Sequence, residues 1–316
     1  MKTPVILDTD IGDDIDDTWA LVMLLKSPQF DVKLVTTTHG QAEYRARLAA
    51  KLLTVAGRTD VPVGLGAGEP AGVGKIAPWI DDFPLSSYRG TIHRDGVQAL
   101  IDAVHRSPEP ITIIAIGPLD TLSAALEKDP SIAPKARFVG MQGSVYKGYS
   151  GSSVAQPEFN VKSSVAAAQR VFSAPWRSIA ITPLDTCGVP DMKLSGERFQ
   201  SLKNCDDARV AAILESYRIW SKSADLNAMN ESTILYDTVA VYLADPSGAP
   251  LLQCDELKIA VTGDGITAIT GAGRPMRVAT RWKDLEAYRN YVLHVLVAPQ
   301  DGDLRTGNYG ESPHTR

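Results

Sequence analysis

Short apolar, β-branched segments alternate with stretches of helical periodicity as far as residue 181, and this alternation limits the possible folds. Strands are predicted at residues 4–7, 32–37, 111–116, 138–139 and 179–181. The helices between them are predicted at residues 19–25, 45–55, 97–104, 119–126 and 165–172. Apolar strands that are separated by helices are typical of a parallel sheet buried on both faces. We therefore predict an α/β fold with an open, mainly parallel sheet and helices on both faces.

The second part of the chain is richer in predicted helix. Helices are predicted at residues 209–220, 239–244 and 282–297, with strands at 257–261 and 276–279. No repeat, linker or block of like charge marks a boundary, so we predict a single domain over residues 1–299. The polar residues 300–316 are predicted to form a flexible C-terminal tail.

Charge and cysteine content exclude several classes of function. The formal net charge of -5 provides no broad basic surface for a phosphate backbone, so a nucleic-acid partner is not expected. The 3 cysteines include no CxxC pair, which argues against a disulfide framework and against a zinc cluster. No apolar run approaches the ~18 residues of a membrane span, and the N-terminus lacks the features of a secretory signal. We expect a cytoplasmic protein that acts on a small molecule, and earlier removal of a leader stays compatible with this sequence.

A cluster of acidic residues follows the first predicted strand. Six aspartates fall within residues 8–17, namely Asp8, Asp10, Asp13, Asp14, Asp16 and Asp17. Like charges at such close spacing are costly unless a cation lies among them, and oxygen ligands without histidine or cysteine favour Ca²⁺ or Mg²⁺ over zinc. The alternative is that the later aspartates cap a helix or are solvated, and Asp13 suits that role best.

A strand that ends in DxD occurs in haloacid-dehalogenase-like phosphatases, which provide one enzyme hypothesis. Asp8 would then be the nucleophile and Asp10 the general acid, with a hydroxyl from residues 36–38 and a late acidic loop at residues 263–265. The match is partial, because Gly12 occupies the position that is Thr or Val in that class. The late loop also lacks a second aspartate.

The resemblance to the nucleoside hydrolase family covers nearly the whole chain. The opening DTDIGDDIDDTWA resembles the family's DxDxGxDDxxA signature, with two extra residues that place the acidic pair at Asp16 and Asp17. Six further segments resemble family motifs in the same order: TTTHGQ, AEYRARLAAKLL with GRTDVPVGLGAGEP, ITIIAIGPLDTL, GMQGS, PEFNV and LYDTVAVYLADP. The resemblance implies a Rossmann-like form of the sheet. It also implies hydrolysis of the N-glycosidic bond of a purine or pyrimidine ribonucleoside to base and ribose.

The resemblance also implies a metal site at the first strand. The expected ligands of a Ca²⁺, with Mg²⁺ less favoured, are the side chains of Asp10, Asp17 and Asp237 and the carbonyl oxygen of Ile116. A bound cation lowers the pKa of its water, and Asp10 would accept the proton from that water. Asp16 would accept a hydrogen bond from the ribose, although the two inserted residues also allow Asp14 to fill the position of Asp16 or Asp17.

Substrate-binding residues are expected on the later motifs. Glu158 and Asn160 resemble the carboxylate and amide that hold the ribose in the family. Three further residues are candidates for substrate binding: Met141, Gln41 and Ser152. Gln41 stands at a position where the family has asparagine, and Ser152 falls near a second asparagine position on the ribose side of the family's site. Asp185 either supports the metal site or caps a turn. Family members are commonly oligomers, so a homodimer or homotetramer is expected.

The group that assists the departing base is the least certain part of the site. Tyr236 stands where many family members have histidine, and it could donate a proton or serve only as an aromatic wall. His93, before a predicted helix, is a second candidate acid, with a capping or surface role as its alternative. In a third alternative, Tyr236 and Gln41 mark lost chemistry, and the chain is a non-catalytic homologue that keeps the fold and the metal and binds a nucleoside or sugar.

Overall fold

The computed structural model describes residues 2–69 and 72–299. Its ten named strands form one sheet in the order β4-β3-β2-β1-β5-β6-β7-β10-β8-β9. The strands are β1 (Thr3–Thr9), β2 (Phe30–Thr37), β3 (Val63–Gly64), β4 (Ile92–His93), β5 (Ile111–Ala115), β6 (Ala136–Met141), β7 (Ser178–Thr182), β8 (Leu252–Val261), β9 (Thr267–Ile269) and β10 (Arg274–Trp282).

The pairing is parallel from β4 through β7 and between β7 and β10. Only the β10–β8 and β8–β9 pairs at one edge are antiparallel. The prediction of an open, mainly parallel sheet is therefore confirmed. Each predicted strand lies within or overlaps an observed one, and the short edge strands β3, β4 and β9 were not predicted.

Helices cover both faces of the sheet. They are α1 (Asp16–Lys26), α2 (Ala42–Val55), α3 (Gly96–Arg106), α4 (Asp120–Lys128), α5 (Phe159–Ser163), α6 (Val165–Ser173), α7 (Leu184–Cys187), α8 (Glu197–Lys203), α9 (Ala208–Trp220), α10 (Thr238–Leu243) and α11 (Leu285–Val297). Side chains alternate along β1, so Val5 and Leu7 join the core formed with α1, α2 and α8 to α11. Ile6 joins the opposite core, formed with α3, α4 and α6. Two apolar layers enclose the sheet, as predicted.

Strand order places a crevice at the carboxyl end of β1. The chain leaves β1 outward through β2, β3 and β4, and then returns to the other side of β1 with β5. In open parallel sheets, ligands bind outside the carboxyl ends of the strands at such a switch point. The aspartate run and the residues after β5 therefore meet where a ligand site is expected.

The last helix and one short helix differ from the predictions. The last helix begins at Leu285 and not at residue 282, because Trp282 ends β10 and Asp284 caps the helix by accepting from the Ala287 N–H at 2.8 Å. The short helix α5 after PEFN was not predicted. Residues 300–316, the predicted tail, lie outside the described residues, and the domain assignment stays a prediction. No helix in the described ranges has both the length and the apolar character needed to cross a bilayer.

Candidate active site

The turn after β1 depends on a glycine. Gly12 has φ +121°, and a Cβ added to it would lie 2.6 Å from both Leu48 Cδ1 and Tyr44 Cε1. The Tyr44 hydroxyl donates a hydrogen bond to the Gly12 carbonyl oxygen at 3.0 Å. The chain therefore reverses tightly against α2, and α1 begins at Asp16.

Three buried carboxylates converge beside this turn. One oxygen each from Asp16, Asp17 and Asp237 lies within 4.8 Å of the others. The Asp237 backbone N–H donates to Asp16 Oδ2 at 3.1 Å, which ties the start of α10 to the start of α1. The Thr9 hydroxyl donates to Asp17 Oδ1. We call Asp16, Asp17 and Asp237 the carboxylate trio.

Burial and mutual repulsion act together on the trio. Burial is the largest cause that raises the pKa of Asp237 well above its ordinary value, followed by the charges of Asp16 and Asp17. The pKa values of Asp16 and Asp17 are raised in the same way, by burial and then by neighbouring aspartates. Three carboxylates in this setting cannot all stay ionised without a compensating cation. Hard oxygen ligands of this kind suit Ca²⁺ or Mg²⁺, so the residues present fit such an ion.

Asp10 lies next to the trio. Burial raises its pKa to about 6, and the positive charge of Arg45 partly opposes this shift. Gly117, after β5, packs on its carboxylate, since an added Cβ would lie 2.6 Å from Asp10 Oδ1. Arg45 is buried in α2 and donates to the Ile11 carbonyl oxygen at 3.1 Å and to Asp13 Oδ2 at 2.6 Å. Arg45 was not among the predicted site residues, because in the sequence it is one of several polar residues in a predicted helix.

A cavity of about 290 Å³ opens above these carboxylates. It brings together most of the predicted site residues: Asp10, Asp14, Asp16, Asp17, Ile116, Met141, Glu158, Asn160, Tyr236 and Asp237. Asp13 and Asp14 are exposed at its rim, whereas Asp16 and Asp17 are buried. Asp16 and Asp17, and not Asp14, therefore join the buried cluster.

Glu158 and Asn160 are held firmly on the far wall. Glu158 caps α5, and its carboxylate accepts from the backbone N–H groups of Asn160 at 2.7 Å, Gly143 at 2.9 Å and Val161 at 3.3 Å. Burial nevertheless raises the pKa of Glu158 to about 7. The Asn160 side-chain amide donates to the carbonyl oxygens of Met141 at 3.0 Å and Ile116 at 3.3 Å. These bonds fix both side chains relative to the ends of β5 and β6.

Three predicted residues do not line this cavity. His93 lies in β4, the outer strand of the sheet, which is separated from β1 by β3 and β2. Gln41 is exposed at the N-cap of α2. Ser152 follows a short 3-10 turn, where its hydroxyl oxygen accepts from the Val154 N–H at 3.3 Å. Motif spacing suggested that they lie at the site. Strand order separates His93 from it, and Gln41 and Ser152 lie at helix ends outside the cavity lining.

The family model of inosine-uridine preferring nucleoside hydrolases matches residues 5–293. The chain belongs to this family. The predicted family resemblance and the prediction of an N-ribohydrolase are thereby confirmed.

Two relatives of this nucleoside hydrolase are named for uridine or pyrimidine nucleosides. It is 32% identical over 182 residues to the probable uridine nucleosidase 2 of Oryza sativa subsp. japonica, a match that spans 54% of this chain and 53% of that protein. It is 30% identical over 242 residues to the pyrimidine-specific ribonucleoside hydrolase RihA of Enterobacter sp. (strain 638), covering 71% and 73% of the two chains. The solved structure of the plant nucleoside hydrolase PpNRh1 superposes with a TM-score of 0.78 at 25% identity, over 95% of this chain and 100% of that one.

The phosphatase hypothesis is wrong for this nucleoside hydrolase. Asp8, its required nucleophile, is fully buried, accepts a hydrogen bond from the Thr36 hydroxyl at 2.6 Å and does not line the cavity. A phosphate ester therefore has no approach to that carboxylate.

Asp185 accepts hydrogen bonds from the backbone N–H groups of Val145 at 2.9 Å and Tyr146 at 2.8 Å, which agrees with the turn-capping alternative.

Aromatic side chains form the remaining wall of the cavity. They are Tyr149, Phe159, Trp220 and Tyr236. Burial, followed by the charge of Asp16, raises the pKa of Tyr236 above that of an ordinary phenol. Tyr236 is thus a weaker acid than its residue type suggests, which favours the aromatic-wall alternative. Lys75 also lines the cavity, and no feature of the sequence had marked it.

Proposed function

We propose that this nucleoside hydrolase cleaves the N-glycosidic bond of pyrimidine ribonucleosides, uridine first among them, to the free base and ribose. The observation that carries the proposal is a cavity whose floor is the carboxylate trio with Asp10 and whose wall holds Glu158 and Asn160. The names of the relatives support a pyrimidine substrate, where the sequence had left purines and pyrimidines open.

The charge of the cavity suits this reaction. As the C1′–N bond breaks, the ribosyl ring becomes oxocarbenium-like and gains positive charge. Buried carboxylates that are already in place stabilise such charge without reorganisation. Glu158 and Asn160, held by backbone contacts, would accept hydrogen bonds from ribose hydroxyls through their side-chain oxygens and so restrict the ring to a productive position.

The same residues fit a bound Ca²⁺, with Mg²⁺ less favoured. We propose Asp10, Asp17 and Asp237 as side-chain ligands and the Ile116 carbonyl oxygen as the fourth protein ligand. When bound, the cation would lower the pKa of a coordinated water. Asp10 accepts the proton of the attacking water, and Asp16 accepts a hydrogen bond from a ribose hydroxyl. Because Asp16 belongs to the compact trio, the alternative is that it shares in holding the cation.

A reducing-sugar assay tests this proposal. Uridine, cytidine, inosine and adenosine are each incubated with the enzyme, with and without chelator, and free ribose is measured. We expect ribose release from uridine, its loss on chelation, and a fall of about 10²–10⁴-fold for Asp10→Asn, the range that a general base contributes. Full turnover by that variant would reject Asp10 as the base. Thermal stabilisation by ribose without turnover would instead indicate a non-catalytic binder.

The cellular location and the assembly are separate matters. Cytoplasmic location and a homodimer or homotetramer stay predictions, and neither is needed for the chemistry proposed here.

A further inference from the structure

The cavity has an unbalanced charge. Acidic side chains dominate its lining, and Lys75 is the single basic residue among the described residues that line it. A base that departs with the electron pair of the C1′–N bond carries negative charge, which these carboxylates repel. Such a departure therefore requires a positively charged group or hydrogen-bond donor on the side of the base.

The usual donors are absent from this lining or poorly suited. No histidine is found among the described residues that line the cavity. Tyr236 lines it, but a phenol is uncharged and offers one O–H donor without positive charge. A lysine ammonium carries positive charge and three N–H donors, so Lys75 can meet an anionic base directly.

The backbone around Lys75 is fixed against the aspartate turn. A Cβ added to Gly74 would lie 1.9 Å from the Gly12 carbonyl oxygen, so this segment packs directly on the turn. The next residue, Ile76, is fully buried and anchors the other side. Lys75 is therefore presented to the cavity from a constrained segment, although its own side chain is exposed.

Lys75 is paired with an aromatic ring of the cavity wall. Its Nζ lies 4.4 Å from the centroid of the Trp220 ring. The Trp220 indole N–H in turn donates to the Asp13 carbonyl oxygen at 3.0 Å. We call Lys75 and Trp220 the cation–aromatic wall. This wall is therefore attached to the aspartate turn at Asp13.

We propose that Lys75 is a catalytic residue that stabilises the departing base while Trp220 forms the surface beside it. This inference rests on the proposed function. The C1′–N bond breaks with its electron pair passing to the base, and the water oxygen bonds to C1′ while Asp10 takes its proton. The Lys75 ammonium donates a hydrogen bond to the anionic base, which then takes a proton from solvent at the cavity mouth.

Two substrates that differ in their leaving group test this role. Uridine needs help for uracil to depart, whereas the nitrophenolate of p-nitrophenyl β-D-ribofuranoside is a stable anion without it. For Lys75→Met we expect kcat/KM for uridine to fall about 100-fold, the size of one preorganised donor. The value for the nitrophenyl riboside should fall by at most about threefold, because that leaving group requires no donor. Lys75→Arg should recover most of the uridine activity.

A matched control is available elsewhere in the chain. Lys203 also holds its Nζ over an aromatic ring, 5.8 Å from the centroid of Phe199, but does not line the cavity. Lys203→Met should leave the ratio of the two activities unchanged. An equal loss of both activities in Lys75→Met, or no loss of either, would overturn the role of Lys75. Wild-type enzyme that cleaves neither substrate would overturn the proposed function itself, and the inference with it.

Discussion

Replacing Asp237 by asparagine should stabilise the metal-free enzyme while it abolishes activity. Asp237 is only 4% exposed, and its nearest oxygen lies within 4.8 Å of oxygens from Asp16 and Asp17. Two unit charges 4.8 Å apart repel by about 3.5 kcal/mol at an effective dielectric constant of about 20, so two such pairs reach about 7 kcal/mol. Asparagine has nearly the same shape as aspartate and removes both of these charge–charge repulsions.

Proton uptake limits this cost and gives it a pH dependence. Burial, followed by the charges of Asp16 and Asp17, raises the pKa of Asp237 well above its ordinary value of 3.8, so the folded protein can relieve part of this repulsion by taking up a proton. Because the folded pKa is raised, stability is present at acid pH and is lost as pH rises toward the folded pKa. For each pH unit between the unfolded and the folded pKa, one such carboxylate lowers the free energy of unfolding by about 1.4 kcal/mol.

Thermal unfolding in excess chelator measures the effect. At pH 7 the chelated Asp237→Asn variant should melt above chelated wild type, by about 2 °C for each kcal/mol of repulsion that the substitution removes in a chain of this size. This difference in melting temperature should be smaller at pH 5. Asp206→Asn, at an exposed position before α9, serves as the control and should leave the melting temperature unchanged. With excess Ca²⁺ the order should reverse, because the variant has lost a proposed ligand.

The reasoning fails if chelated Asp237→Asn melts at or below chelated wild type at pH 7 while the control is unchanged. That result would mean that crowding in the carboxylate trio does not weaken the fold. A variant that retained uridine hydrolysis would separately reject Asp237 as a proposed ligand.

Three other outcomes are expected. Glu158→Gln should reduce kcat for uridine by at least about tenfold, because it weakens ribose contacts formed in the transition state. Burial raises the pKa of Glu158 to about 7, so the variant should also lose any step near pH 7 in the pH profile of kcat. Gly117→Ala should lower activity with little change in secondary structure by circular dichroism, because its Cβ would collide with Asp10 Oδ1 at 2.6 Å. Asp8→Asn should keep most uridine turnover in the ribose assay, since Asp8 contacts Thr36 outside the cavity, and loss of turnover in a folded protein would contradict this.

Local patterns in the sequence were sufficient for the fold class and for much of the site. An apolar strand followed by six aspartates and Gly12 predicts a strand, a tight turn and a helix start, because side-chain periodicity and backbone sterics act over a few residues. The resemblance of the PEFN segment to a family motif pointed to Glu158 and Asn160, whose positions depend mainly on the short helix α5 and on the ends of β5 and β6.

Only the tertiary structure decided which distant residues meet. Asp16 and Asp237 are 221 residues apart, and Lys75 reaches Trp220 only because its segment packs on the aspartate turn beneath α9. The order of the strands likewise places His93 in β4, at the edge of the sheet and outside the cavity lining. The amino-acid sequence by itself specifies which segments are strands, helices and turns, because those depend on neighbouring residues. The approach of charges and rings from separate elements depends on how the sheet is ordered and packed, and that order has no local signature.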